Sequence, residues 1–176
     1  KAYGNAIVKK TDKNTSVKLR LEPGQSFILK TENTKSQNDW NYYETANKPI
    51  NLEGEWIVVF EKGGPELPAS AKMNILKSWT NLSTQAEAFS GTATYTLPFD
   101  APNIDADNWN LNLGDVRESA KVWLNGKFIG NVWSVPFNIN LGTLKKGKNE
   151  LKIQVTNLPA NRIRAKELKG EEWKIF

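Results

Sequence analysis

AKVWLNGKFIG, residues 120–130, carries the clearest local instruction in the chain. Asn125-Gly126 divides two apolar runs, and both positions tolerate the positive φ angles that a type I′ turn demands. The stretch therefore reads as a β-hairpin. Alternation places Ala120, Val122 and Leu124 on one face and Lys121, Trp123 and Asn125 on the other.

The same period of two runs outward in both directions. Val17, Leu19 and Leu21 alternate with polar residues, Glu22-Pro23-Gly24 turns the chain, and Phe27 and Leu29 continue, so residues 15–31 read as a leading hairpin. GEWIVVF at 54–60 reads as a more continuous apolar strand, and FSGTATYTLPF at 89–99 as a long one rich in Thr and aromatics. Shorter alternations follow at Leu111/Leu113, at Phe137/Ile139/Leu141 and at Leu151/Ile153/Val155, the last after a turn at Lys146-Gly147-Lys148-Asn149. Helical periodicity is confined to one turn over Ala165–Lys169. Many short strands without long helices predict an all-β antiparallel sandwich.

The polar stretch 32–50 interrupts this pattern and reads as a linker, although Trp40, Tyr42 and Tyr43 argue for packing within it. The expected division is residues 1–47, the closing strands of a preceding β domain plus the linker, and residues 48–176, the sandwich. Gly63-Gly64-Pro65 reads as a plain turn.

Composition excludes several chemistries. The 176 residues contain no cysteine and no histidine, which removes disulfides, a Ser-His-Asp triad and imidazole-based zinc sites. A net charge of +5 arises from 24 basic and 19 acidic residues. The lysines lie in separate turns, unlike the clustered patch of a nucleic-acid binder, so no nucleic-acid partner is expected. No apolar run is long enough for a membrane span. Lys1 rather than Met opens the chain, which reads as a mature or trimmed product.

Three strings, FSGTATYTLPF (89–99), LGDVRESAKVWLNGKFIGNVW (113–133) and GKNELKIQVTNL (147–158), resemble the sugar-binding-like jelly roll of glycoside hydrolase family 2. With VKLRLEPGQSFIL (17–29) and the tail TNLPANRIRAKELKGEEWKIF, the resemblance is closer to the C-terminal region of family 106, the α-L-rhamnosidase-like proteins of Bacteroidetes. The resemblance implies a galactose-binding-like fold, a periplasmic or extracellular location, and catalytic carboxylates in a separate barrel. This chain is then not an enzyme on its own, and its partners are carbohydrate and the catalytic domain of the parent chain.

Carbohydrate recognition uses flat aromatic faces and planar polar side chains. The candidates for carbohydrate binding or domain contact are Trp79 and Trp133, both in loop-like contexts, and Trp123 on the outer hairpin face. Asp115, Arg117 and Glu118 in LGDVRES join them, with Asn161 and Arg162 beyond the last strand. Arg117 is of interest for its planar donor fork. Trp56 and Trp109 read as core or edge packing. No catalytic residue is assigned. No cofactor or metal is expected, although Asp105 and Asp107 place hard oxygen ligands suited to Ca2+ in one loop. A free-standing carbohydrate-binding module or a cell-surface adhesion protein is the alternative reading.

Overall fold

The computed structural model describes residues 3–34, 36, 38–40, 42 and 48–174. The chain separates into two compact units, Lys1–Pro49 and Ile50–Phe176.

In the first unit β1 (Val8–Lys10) pairs antiparallel with β2 (Thr15–Val17). The loop between them is closed by Thr11, whose N–H donates to the Asn14 carbonyl at 2.8 Å and whose Oγ1 accepts from the Asn14 N–H at 3.1 Å. The hairpin expected over 15–31 does not form. Thr15–Val17 pairs backwards through this short loop, and residues 18–31 contain no strand. The Glu22–Gln25 turn itself is present, with Gly24 at φ 86°. Beyond it Phe27 packs edge-on against Trp40 at 5.2 Å instead of entering a ladder.

The expected linker is also partly structured. The Asn5 side chain donates to the Ser36 carbonyl and accepts from the Ser36 N–H. The Tyr42 hydroxyl donates to the Lys18 carbonyl and accepts from the Ile7 N–H. Tyr43 lies outside the described residues.

The second unit is the sandwich. In chain order it comprises β3 (Trp56–Gly64), β4 (Ala71–Met73), a 3-10 turn (Trp79–Asn81), α1 (Thr84–Ala88), β5 (Ser90–Asp100), β6 (Trp109–Asn112), β7 (Ser119–Leu124), β8 (Lys127–Val132), β9 (Asn138–Gly142), β10 (Lys148–Thr156) and α2 (Ala160–Leu168). One antiparallel sheet has the order β4-β3-β5-β10-β7-β8, and a smaller one pairs β6 with β9. The β7–β8 hairpin turns at Asn125 (φ 52°) and Gly126 (φ 78°), as the sequence predicts.

Register aligns the inward side chains in rows across the large sheet. Val58, Tyr95, Ile153 and Val122 form one row, and Phe60, Ala93, Val155 and Ala120 the next. Leu97, Leu151 and Leu124 form a third. Leu111 and Ile139 from the small sheet pack against this core. Trp56 is core and Trp109 half-buried beside it, as read from the sequence.

Two features escape the period-two reading. Gly63 and Gly64 are not a plain turn but the end of β3, with Gly63 opposite Gly91. A Cβ on Gly63 would lie 2.3 Å from the Ser90 carbonyl oxygen, and one on Gly91 would lie 2.2 Å from that of Lys62, so side chains are excluded there. The helix expected as one turn runs nine residues as α2, starting directly after Pro159.

The core rows generate two predictions. Leu151 is fully buried between two paired strands. Leu151→Ala should cost about 2–5 kcal/mol in chemical denaturation. Burial pushes the Tyr95 phenol up to about 12. A phenol whose folded-state value exceeds its unfolded value of about 10 stabilises the fold fully below about pH 10 and loses that contribution as pH rises further. Tyr95→Phe should therefore match the parent near neutrality and exceed it by about 1 kcal/mol at about pH 11, read from urea midpoints.

Candidate functional site

Strand register decides which candidate residues share an end of the molecule. Thr156 lies opposite both Ser119 and Thr92, Ala120 lies opposite Val132, and Gly64 lies opposite Ser90. The segments carrying Asp115, Arg117 and Glu118, Trp133, and Asn161 and Arg162 therefore leave the large sheet at one end. They are spread along it. Arg117 and Trp133 flank neighbouring strands, while Arg162 lies over the β3–β5 side, where its guanidinium approaches Gly64.

The Asp115–Arg117 pair is local and solvent-facing. Nε and Nη2 of Arg117 donate to the two carboxylate oxygens of Asp115 at 2.8 and 2.9 Å. Both side chains are exposed. The hydrogen bond from Arg117 holds the Asp115 carboxyl below the usual carboxylate range, and the same bond raises the guanidinium. The donor fork that made Arg117 a candidate is thus occupied by its own neighbour. Glu118 is exposed, and its N–H donates to the Thr156 carbonyl.

Two candidates are structural. Trp79 is no free loop platform. It is 6% exposed and packs edge-on against Phe60 and Phe89, both at 5.7 Å. The 3-10 turn, capped by Ser78, carries the ring into the core. Asn161 donates its amide to the Phe89 carbonyl at 3.2 Å. Asn157 reinforces this point, donating to the same carbonyl and accepting from the Gly91 N–H at 2.7 Å. With Arg164 paired to Glu87, these bonds fasten α2 across the start of β5. Arg162 contributes its backbone N–H to the Ser90 hydroxyl, and its side chain stays exposed.

Trp133 is 74% exposed at this end, with exposed Val135 two residues on. Tryptophan is among the side chains most enriched at interface anchors.

Trp123 stands elsewhere, on the outer face of the large sheet, packed against Phe128 at 5.4 Å with the Lys152 ammonium 5.4 Å from its ring centre. Sequence reading did not single out Phe128, Lys152, Glu61 or Gln154 on this face. Alternation places Lys152, Glu61 and Gln154 outward, Phe128 is turned outward by a bulge in β8, and only the strand order brings them together. Asp105 and Asp107 are exposed loop residues, and among the described residues no group of three or more acidic, Cys or His side chains is arranged to hold a metal ion.

No family model matches the chain. Over 125 residues it is 35% identical to a Formosa agariphila protein named "Putative beta-glucuronidase", covering 68% of this chain and 11% of that protein. The structure of a rhamnosidase from Novosphingobium sp. PP1Y superposes with a TM-score of 0.61 and 26% identity, over 78% of this chain and 14% of the other. A β-glucuronidase from an uncultured Clostridium sp. shares the fold, with a TM-score of 0.51 and 20% identity over 67% of this chain and 24% of that one. This chain is related to a domain-sized part of large glycoside hydrolases. It spans about a tenth of the curated relative and 14% to 24% of those two solved chains.

The asparagine fastening has a measurable consequence. Asn157→Ala should cost about 1–3 kcal/mol, because it orphans the Gly91 N–H and removes a donor from Phe89. Asp115→Asn, which removes only an exposed pair, should leave the denaturation midpoint unchanged.

Proposed function

We propose that this chain is a non-catalytic accessory region of a secreted glycoside hydrolase, α-L-rhamnosidase-like, which works in the periplasm or outside the cell. The carrying observation is one of proportion. A sandwich with its own core corresponds to only 11% to 24% of much longer glycosidase chains. The resemblance of residues 17–29 and of the tail to family 106 supports the rhamnosidase-like assignment, as does the Novosphingobium superposition.

The chemistry of the exposed end agrees. A glycosidase acid needs a carboxyl held above its ordinary range, next to a second carboxylate. Asp115 is displaced the other way, by its pairing with Arg117. Histidine and cysteine are absent from the sequence as alternative acids or nucleophiles. The exposed end instead offers contact groups, Trp133 and Val135, suited to packing against the catalytic part of the parent enzyme or against carbohydrate. Residues 1–47, with β1 and β2, represent the closing strands of a preceding β domain, and residues 48–176 the galactose-binding-like sandwich.

Incubation of the 176-residue chain with aryl α-L-rhamnosides and aryl β-glucuronides provides the test. No release of the aryl group above the buffer blank is expected. Turnover that a series of Glu→Gln substitutions abolishes would overturn the reading.

A further inference from the structure

The outer face of the large sheet carries an ordered arrangement that packing of the core does not require. Register aligns Ile57, Thr96, Lys152, Trp123 and Phe128 in one row across five strands. At a strand spacing of about 4.8 Å the row is about 19 Å long. One pleat away, about 7 Å along the strands, runs a polar row of Thr94, Gln154, Lys121 and Asn131, with Val59 at its end.

The aromatic end of the first row is open and fixed. Phe128 is 50% exposed, and its ring is held by Trp123. Trp123 is in turn covered by the Lys152 ammonium. A ring already held in place loses little conformational freedom when something stacks on it.

This face carries both signs: Lys121 and Lys152 stand with Glu61 and with exposed Glu150, two residues from Lys152 on the same side of β10. Glu61 has each carboxylate oxygen engaged at 2.6 Å, one by the Thr94 hydroxyl and one by the Gln154 amide nitrogen. Those bonds orient the Gln154 amide and leave its carbonyl oxygen as an acceptor. Lys72, at the far edge, is paired with Glu55 at 2.8 Å. Lys121 and Lys152 have no carboxylate within ion-pair distance among the described residues. They occupy diagonal positions on neighbouring strands, since Lys121 faces Gln154 and Lys152 faces Trp123.

We propose that this outer face binds an anionic glycan, a pyranose chain bearing carboxylate or sulfate groups. The apolar side of a sugar ring stacks on Phe128. Lys121 and Lys152 take the acid groups, and the Gln154 carbonyl and Thr96 hydroxyl meet neighbouring hydroxyls. Dispersed apolar groups among planar polar ones suit a sugar chain better than a protein partner, whose interface would centre on a continuous apolar patch. The proposal rests on the accessory reading for its carbohydrate context. Its failure is distinguishable, because a chain that neither hydrolyses nor binds anionic glycan leaves that reading intact.

Affinity electrophoresis of the full chain in gels containing polygalacturonate, a sulfated galactan or neutral dextran tests it. Retardation is expected with one or both anionic polymers and not with dextran. Retardation by polygalacturonate alone identifies uronate carboxylates, and by the galactan alone sulfate esters. Lys121→Gln with Lys152→Gln, and separately Phe128→Ala, should each weaken apparent affinity at least about tenfold, while Lys146→Gln in a distant turn should not. Unchanged thermal melts check that the variants fold. No retardation by either anionic polymer overturns the proposal. So does equal loss in Lys146→Gln, which signals general polycation behaviour, or loss with the lysines but not with Phe128→Ala.

Discussion

The pairing of β10 between β5 and β7 is the constraint on which the rest of the second unit depends. From Lys148 opposite Asp100 to Thr156 opposite Thr92 the strand follows β5, and from Leu151 to Thr156 it also follows β7. Its inward side chains, Leu151 and Ile153, are buried at the centre of the core rows. A one-residue slip would turn those side chains to water and bring Lys152 and Gln154 inside, a change the burial of charge forbids. Asn149 pins the entry to this strand. Its buried side chain accepts from the Asn125 amide and the Lys145 N–H, and donates to the Lys145 and Gly147 carbonyls. The Asn125 side chain returns a bond from the Glu150 N–H. The hairpin turn and the β9–β10 turn therefore lock the register together.

That register separates two surfaces of different composition. At one end of the sheet lie Trp133 and the self-neutralised Asp115–Arg117 pair, on the β7–β8 side, and a helix tied down by Asn157 and Asn161 on the β5 side. On the outer face lie Trp123, Phe128 and two lysines that have no carboxylate within ion-pair distance among the described residues. At the end, the polar groups are largely satisfied by one another or by backbone. The face keeps side-chain capacity in reserve. Both arrangements fit an element whose relatives are parts of larger carbohydrate-active enzymes.

Much of the sandwich was legible because its physics is local. Asn125-Gly126 fixed a turn, and alternation told Val122 and Leu124 from Lys121 and Trp123 without any tertiary information. The failures share a different cause. Trp79 sits in a polar-looking stretch, and only its meeting with Phe60 and Phe89 makes it core. Asn161 looked like a ligand group, yet a carbonyl 72 residues earlier in the chain takes its amide. The donor fork of Arg117 is filled by a carboxylate only two residues away, a pairing that spacing alone leaves open. In place of the 15–31 hairpin, Thr15–Val17 pairs with Val8–Lys10 across a loop that Thr11 and Asn14 close with two hydrogen bonds. The outer-face rows needed the strand order β3-β5-β10-β7-β8, which no local pattern contains.

Native-state hydrogen exchange on the intact chain tests the placement of β10 most directly. If it is the doubly paired centre of the sheet, the amides of Leu151–Val155 exchange only through global unfolding, with protection well above that of the edge strands β4 and β8. Exchange in Leu151–Val155 as fast as in Ala71–Met73 would contradict the strand order, and with it the positions of both surfaces.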